Sequence, residues 1–201
     1  MRIGIDCRSY GPVNGYMGKY LAEFISYLNQ NQDTNEYVLF FHDRELSEFT
    51  TNSPRFRTVK TSSKIGSLSE QLIFPYELSK EKLDVMLFSA PNTPVLYYGK
   101  TIVIVPDLVS YFYPMKHLKG SWRRNSSNFI LRRSLQKASA IIAFSEILRR
   151  DIIEIFDIHE DKISIIPPMF LDTLSEKVQT REEIQQALAL ENIHGKYMLM
   201  A

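Results

Sequence analysis

TIVIVPDL, from Thr101 to Leu108, is the stretch that decides the fold. It opens with a nearly continuous apolar run, Thr101 to Val105, which is typical of a strand buried on both faces of a parallel sheet. Pro106 follows at once and cannot donate to a strand ladder, so we expect the strand to end there. Asp107 then places a carboxylate directly after the buried strand. The pattern predicts a core strand that leads straight into a turn or a polar site.

Apolar runs of this kind recur along the chain and alternate with helical patterns. The runs are RIGID (2–6), EYVLFF (36–41), FRTV (56–59), DVMLF (84–88), TIVIV (101–105), AIIAF (140–144) and KISII (162–166). Helical patterns cover 18–28, 68–78, 121–137 and 145–156. Pro75 is expected to break or kink the second of these helices, and Ser145 is a natural N-cap of the last. The alternation predicts an α/β fold: a Rossmann-like, doubly wound, mostly parallel sheet with helices on both faces.

Composition excludes several classes of protein. The 201 residues, with 44% hydrophobic and 23% charged residues, suit one sizeable globular domain, or one domain plus a fragment. A net charge of +1 gives no overall attraction to nucleic acid. The single Cys7 excludes an internal disulfide framework and fits a reducing cytoplasm. No apolar run approaches the ~18–20 residues of a membrane span, and the N-terminal residues do not resemble a signal peptide. We therefore expect a cytoplasmic protein.

The C-terminal part follows a different pattern. Pro167 and Pro168 end the last of the predicted strands. Thr180 to Leu190 is predicted to be a capped helix, and KYMLMA (196–201) starts another apolar run. We predict a first domain at 1–170, and a linker helix with the start of a missing second domain at 171–201. The alternative is an edge strand that closes the first domain.

A glycine-rich loop follows the first predicted strand. Gly11, Gly15 and Gly18 are spaced G-x-x-x-G-x-x-G, which differs from the dinucleotide pattern G-x-G-x-x-G. A helix that starts near Met17 would point free N–H groups at any ligand there, which favours phosphate. The loop is predicted to face a phosphate or a sugar. A plain strand-to-helix connection is the alternative.

Two further loops are expected at the carboxyl ends of strands, where open parallel sheets bind ligands. FSAPNTPVLYYG (88–99), which contains Asn92, has the amide and aromatic groups that suit contact with a sugar, or it is a structural loop with packed tyrosines. Asp107 either accepts backbone N–H bonds in a turn or accepts hydrogen bonds from ligand hydroxyls. The residue types alone leave both alternatives open.

The segment between Leu108 and Ser145 contains no acidic residue. A basic patch of Lys116, Lys119, Arg123 and Arg124 could contact an anionic membrane surface or a phosphate. The alternative is the solvated face of a helix whose apolar side packs on the sheet. The four histidines show no metal-ligand spacing, and neither a P-loop nor a nucleophile elbow is present.

Taken in order, several segments resemble the N-terminal half of the family-four retaining glycosyltransferases, which have the GT-B architecture. The resemblance covers about residues 2–168. Its segments are RIGIDCRSYGPVNGYMGKYL (2–21), EQLIFPYEL (70–78), DVMLFSAPNTP (84–94), IVPDL (104–108), KASAIIAFSEILRRDI (137–152) and KISIIPP (162–168).

The resemblance implies two Rossmann-like domains across a cleft, of which the N-terminal one binds mainly the acceptor. The implied reaction transfers a sugar from a nucleotide sugar to a glycan or lipid-linked acceptor, in surface polysaccharide or glycolipid synthesis, without a cofactor or metal. A C-terminal half acting in trans is an implied partner. The resemblance implies Gly15, Gly18, Asp107, Ser145 and Glu146 as substrate-binding residues. Tyr16 and Asn92, from the two loops described above, are predicted to join them. Pro106 stands where the family commonly has a histidine that contacts the transferred sugar, so the catalytic residues are left open, with Asp107 as the candidate.

Two other functions remain as alternatives. One is a dinucleotide-binding oxidoreductase fragment, for which Asp43 would be the acidic residue after the second strand, although the glycine spacing differs from that pattern. The other is a non-catalytic module that binds an acceptor or a membrane.

Overall fold

The computed structural model describes residues 1–31, 33–113 and 121–168, and of residues 121–123 only the backbone. Met1–Pro168 forms one compact unit. The predicted helix at 180–190, the apolar run at 196–201 and the whole predicted segment 171–201 lie outside the described residues. Lys116 and Lys119 of the predicted basic patch lie outside them as well.

The described residues form a seven-stranded sheet in which every pairing is parallel. The strand order is β3-β2-β1-β4-β5-β6-β7. The strands are β1 (Arg2–Asp6), β2 (Glu36–Phe41), β3 (Phe56–Lys60), β4 (Val85–Phe88), β5 (Thr101–Val105), β6 (Ala140–Ala143) and β7 (Ile163–Ile165). Each lies where an apolar run predicted it, so the predicted α/β, Rossmann-like fold is confirmed.

Helices occupy the connections between the strands. They are α1 (Gly15–Gln30), α2 (Asp43–Glu48), α3 (Leu68–Lys80), α4 (Val109–Phe112), α5 (Ser121–Lys137) and α6 (Glu146–Phe156). The sequence patterns did not predict α2 and α4, which are too short to show a clear helical period. Pro75 does not break its helix, because α3 continues to Lys80, and the alternative of a kink stays a prediction. Pro75 is buried together with Phe74 and Leu78, and this burial offsets the lost backbone hydrogen bond.

Both faces of the sheet are covered. On one face, Phe74 and Leu78 of α3 pack with Val38, Met86 and other core residues of β2 and β4. On the same face, α5 and α6 pack on β5, β6 and β7 through side chains that include Val103, Leu135, Ile141 and Ile152. The opposite face carries residues that alternate with these along the strands, among them Ile5, Leu39 and Ile104, and all three are buried.

The order of the strands sets the position of the candidate site. β1 and β4 are neighbours, and the strand order runs outward from them in opposite directions, to β2 and β3 on one side and to β5, β6 and β7 on the other. Ligands of open parallel sheets bind at such a point. The carboxyl ends of β1, β4, β5 and β6 lie side by side at this edge. The glycine-rich loop, the loop at 88–99, Asp107 and Ser145 therefore follow neighbouring strands. Among the described residues, no helix combines the length and apolar character needed to cross a membrane.

Candidate functional site

A hydrogen bond joins the glycine-rich loop to the end of β5. The Tyr16 hydroxyl donates to Asp107 Oδ2 at 3.0 Å, and the Val109 backbone N–H donates to Asp107 Oδ1 at 2.9 Å. Asp107 thus makes the turn expected of it and also contacts a predicted site residue across the edge of the sheet. Burial, followed by the neighbouring Asp107 carboxylate, raises the pKa of Tyr16. The phenol therefore remains a proton donor throughout the neutral range.

The glycines of the loop have different structural roles. Gly15 has a φ of 66°, and a Cβ atom added there would meet nothing within 4 Å. A Cβ atom on Gly18 would lie 1.9 Å from the carbonyl oxygen of Gly11. Gly18 is therefore required by the packing of α1 against its own loop. Gly15 faces open space at the start of α1, whose first turn has no side-chain cap and no acidic residue. Such an end favours an anionic ligand.

A cavity of about 330 Å³ lies beside Asp107. Three residues of the sequence analysis line it, namely Pro106, Asp107 and Ser145. The rest of its lining is mostly apolar and comes from α4 with its two flanking residues and from the first half of α6: Leu108, Val109, Phe112, Tyr113, Ile147, Leu148 and Asp151. The cavity can therefore take an apolar group while the Asp107 carboxylate receives a hydroxyl at its rim.

The side chains of Ser145 and Glu146 have local partners. The Leu148 backbone N–H donates to Ser145 Oγ at 3.2 Å, which confirms Ser145 as the N-cap of α6. Arg149 Nη1 donates to Glu146 Oε1 at 3.1 Å. Glu146 is half exposed, and its charge stabilises the positive end of the helix. Contact of either residue with a ligand stays a prediction.

The loop that contains Asn92 is tied to the core. The Thr93 backbone N–H donates to Ser134 Oγ at 2.9 Å, and the Val95 N–H donates to Gln71 Oε1 at 3.0 Å. Asn92 Oδ1 and Ser89 Oγ are buried and have no hydrogen-bond partner among the described residues. The structure thus places the Asn92 oxygen inside the loop rather than on its surface.

A buried charge cluster at the end of β1 was not predicted from the sequence. Arg8 donates from Nε and Nη2 to the two carboxylate oxygens of Asp6, each at 2.8 Å, and from Nη2 to Glu70 Oε1 at 2.7 Å. Arg8 Nη1 donates to the Ser63 carbonyl at 3.0 Å, and the guanidinium lies 4.0 Å from the centre of the Phe74 ring. The cluster links the end of β1 to the start of α3. Its signal in the sequence is the Asp-x-Arg pattern that begins at the last residue of the first strand.

Burial decides the ionisation of Glu70 in this cluster. It raises the pKa of the Glu70 carboxyl, and the charge of Arg8 and the Gly66 N–H offset only part of that effect. Glu70 Oε2 accepts from the Gly66 N–H at 2.7 Å. The cluster therefore holds two carboxyl groups around one guanidinium, and the second carboxylate is the more costly one to ionise.

The predicted basic patch is only partly described. Arg124 is exposed, and the side chain of Arg123 is outside the described part. Elsewhere on α5, Arg132 Nη2 donates to the Ile155 carbonyl at 2.8 Å, and Lys137 Nζ donates to the carbonyls of Val95 and Tyr97. These two basic residues hold the helix in place. Where the chain is described, no group of three or more His, Cys, Asp or Glu residues is arranged to hold a metal ion.

The chain is similar to known proteins in its fold. No protein-family model and no curated protein matches the chain. Among solved structures, the wall teichoic acid polymerase TagF, as its H444N variant, is similar at 16% identity and a TM-score of 0.55, over 96% of this chain and 44% of that one. A glycosyltransferase from Rickettsia africae ESF-5 is similar at 13% identity and a TM-score of 0.50, over 96% of this chain and 50% of that one. The chain therefore spans about half the length of these two structures.

Proposed function

We propose that this chain is the acceptor-side half of a glycosyltransferase with two Rossmann-like domains. The observation that carries the proposal is the likeness in fold to TagF and to the Rickettsia glycosyltransferase over nearly the whole chain, together with its coverage of half of each. The proposed reaction transfers a sugar from a nucleotide sugar to a glycan or lipid-linked acceptor. The ordered resemblance to family-four enzymes supports the GT-B architecture and retention of configuration.

Asp107 is the residue to which we assign the acceptor hydroxyl. Its two oxygens each accept one hydrogen bond, from Tyr16 and from the Val109 N–H. A carboxylate can accept about four, so lone pairs remain for a substrate. The two existing bonds fix the carboxylate at the rim of the cavity, and catalysis by positioning needs such a fixed group.

The cavity beside Asp107 favours an acceptor with an apolar part. Its lining side chains Val109, Phe112 and Ile147 are exposed to solvent in this structure, and burying them against a ligand would be favourable. A lipid-linked acceptor offers such a part next to its hydroxyls. This supports glycolipid or lipid-linked glycan assembly as the context of the reaction.

Gly15 and the start of α1 are assigned to the diphosphate of the donor. The first turn of α1 carries neither an acidic side chain nor a side-chain cap, so its free N–H groups can stabilise negative charge on the leaving group. Pro106 supplies no side-chain donor at the position where the family commonly has histidine. The stabilisation of the transferred sugar would then come from the C-terminal half.

The dinucleotide alternative has less support. The connection between β1 and α1 includes a 3-10 turn at Pro12–Asn14, whereas the dinucleotide motif enters its helix through a tight turn. Asp43, the candidate for the ribose hydroxyls, forms an ion pair with Lys60 at 2.5 Å.

Binding of short-chain lipid-linked saccharides to the chain, measured by thermophoresis, tests the proposal. Asp107→Asn should weaken binding about tenfold, because it removes one charge-assisted hydrogen bond. Asp161→Asn is the matched control, since Asp161 is exposed and does not line the cavity. Equal affinities of the wild type and Asp107→Asn would contradict the assigned role. Binding of NAD(P), with no binding of any saccharide or nucleotide sugar, would favour the dinucleotide alternative instead.

A further inference from the structure

Helix α3 exposes a row of large apolar side chains. Leu68, Leu72 and Tyr76 are spaced by four residues, and 81%, 64% and 63% of their surfaces are exposed. Ile73 lies on the same side of the helix, and Ile65 in the preceding loop is also exposed. We call these five residues the α3 outer face. Monomeric proteins rarely leave so many large apolar groups side by side in water.

The inner face of the same helix is apolar as well. Phe74, Pro75 and Leu78 are buried, and Phe74 and Leu78 pack on the sheet, so α3 is apolar on both sides. A helix of this kind is normally covered on both sides. The outer face therefore indicates a contact that the chain makes with something else.

The charges around α3 indicate the chemistry of that contact. Between Thr61 and Leu83 the sequence has the carboxylates of Glu70, Glu77 and Glu81 and the amines of Lys64, Lys80 and Lys82. All three lysines are exposed, and none forms an ion pair with a carboxylate in the described part of the chain. The segment therefore presents its positive charges to solvent.

The three carboxylates are less exposed than the lysines, and each has a local hydrogen-bond partner. Glu70 is buried against Arg8, as described above. Glu77 Oε2 accepts from the Thr61 hydroxyl at 2.5 Å. Glu81 accepts from Arg2 at 2.9 Å and from Arg57 at 3.1 Å. The exposed charged groups of this segment are therefore the lysines, which border the apolar row.

We infer that the α3 outer face docks on the surface of an anionic lipid bilayer. Leucine, isoleucine and tyrosine side chains would enter the interface while the lysines contact lipid phosphates, which is how interfacial helices bind. Lys80 already lies with its Nζ 4.2 Å from the centre of the Tyr76 ring, at the boundary between the apolar row and the charges. The inference does not depend on the proposed reaction, because none of the five residues lines the cavity beside Asp107.

A second copy of the chain is the other occupant to consider. Two copies packed face to face through α3 would bring the exposed lysines of both copies around one contact, whereas the carboxylates of the same segment are buried or half-buried and already hydrogen-bonded. An anionic surface supplies the opposite charge. Charge complementarity therefore favours the bilayer.

Sedimentation with vesicles tests the inference. The chain should bind vesicles made of phosphatidylcholine with about 30% phosphatidylglycerol. It should bind pure phosphatidylcholine vesicles about a hundredfold more weakly, because each of three lysines near an anionic surface contributes about fivefold. Leu72→Glu should weaken binding to the anionic vesicles at least tenfold, as a rough expectation, because it removes apolar contact and adds a repelled charge. Lys64→Glu should also weaken it, and raised salt should do the same.

Two matched variants distinguish α3 from α5, the helix that carries Arg123 and Arg124, as the membrane contact. Phe129 of α5 is an exposed apolar residue of comparable exposure to Leu72, and Phe129→Glu should leave vesicle binding unchanged. Loss of binding in Phe129→Glu with retention in Leu72→Glu would overturn the inference, and so would equal binding by all three proteins. A dimer in sedimentation velocity that Leu72→Glu converts to a monomer, without any vesicle binding, would assign the face to a second copy instead. Circular dichroism of each variant shows that it is folded.

Discussion

Tyr16 and Asp107 are 91 positions apart in the chain, and their side chains meet at 3.0 Å between Oη and Oδ2. Tyr16 stands in the first turn of α1, after the glycine-rich loop, and Asp107 stands just past the end of β5. Their hydrogen bond joins the start of α1 to the carboxyl end of β5. It also gives Asp107 a fixed orientation that a turn residue alone would not require.

The titration of Tyr16 should report this contact. Burial and the Asp107 charge raise the pKa of the phenol above its ordinary value of 10.0, so the folded state keeps the proton at a pH where the unfolded state has lost it. Stability from this group is present below pH 10 and is lost as the pH rises through the folded pKa. Asp107→Asn should lower the pKa of Tyr16, though not to its ordinary value because the burial remains.

The ultraviolet absorbance of the phenolate, recorded as the pH is raised, follows that titration. Tyr16→Phe identifies which part of the signal belongs to Tyr16 among the other tyrosines. An unchanged titration in Asp107→Asn would show that the hydrogen bond does not persist in solution.

Gly18→Ala should destabilise the fold far more than Gly15→Ala. The new Cβ atom at position 18 would lie 1.9 Å from the Gly11 carbonyl oxygen, which is backbone and cannot turn away. We expect a loss of about 3 kcal/mol or more in the free energy of unfolding. At Gly15 the space is open and only the positive φ is strained, so the loss should be about 1 kcal/mol. Urea unfolding of both variants measures this, and equal losses would contradict the close packing of α1 on its loop.

The parts of this structure that the sequence predicted are those set by local pattern. Continuous apolar runs located every strand of the sheet, because buried parallel strands need apolar residues on both faces. Ser145 was recognisable as an N-cap because capping depends on residue type and short spacing. The position of Asp107 at the carboxyl edge also followed from local pattern, because Pro106 comes directly after β5 and ends it.

Long-range partners were beyond local pattern. Nothing in the spacing of Arg8 and Glu70 showed that the crossover to α3 would bring them together 62 positions apart in the chain. The packing role of Gly18 was likewise hidden, since a loop glycine and a ligand-facing glycine look alike in a sequence. That Pro75 would not break α3 was hidden as well, because its burial outweighs its local preference.

Arg8 should be among the most sensitive residues of the fold. Its side chain is fully buried between Asp6 and Glu70, so Arg8→Met leaves two carboxyl groups in the interior without a counter-charge. Removing one partner of a buried ion pair costs about 3–5 kcal/mol. Arg57→Met is the control, because the Arg57–Glu81 pair is largely exposed at Arg57 and such pairs contribute about 0–1 kcal/mol. Chemical denaturation compares them, and a small loss in Arg8→Met would mean that water enters the cluster.

Glu70→Gln should cost much less than Arg8→Met and should change how stability depends on pH. The pKa of Glu70 is raised above its ordinary value of 4.5, so between 4.5 and the folded pKa the folded state binds more protons than the unfolded state. The contribution of Glu70 to stability therefore falls as the pH rises through that window. Glutamine keeps the shape and one acceptor oxygen, which can serve either Arg8 Nη2 or the Gly66 N–H while its amide group faces the other donor. It cannot ionise. Unfolding curves at a series of pH values from about 4 to 8 should show this loss in the wild type and a flatter profile in Glu70→Gln. If the two profiles are parallel throughout, Glu70 ionises in the folded state as readily as in the unfolded chain, and burial does not govern the cluster.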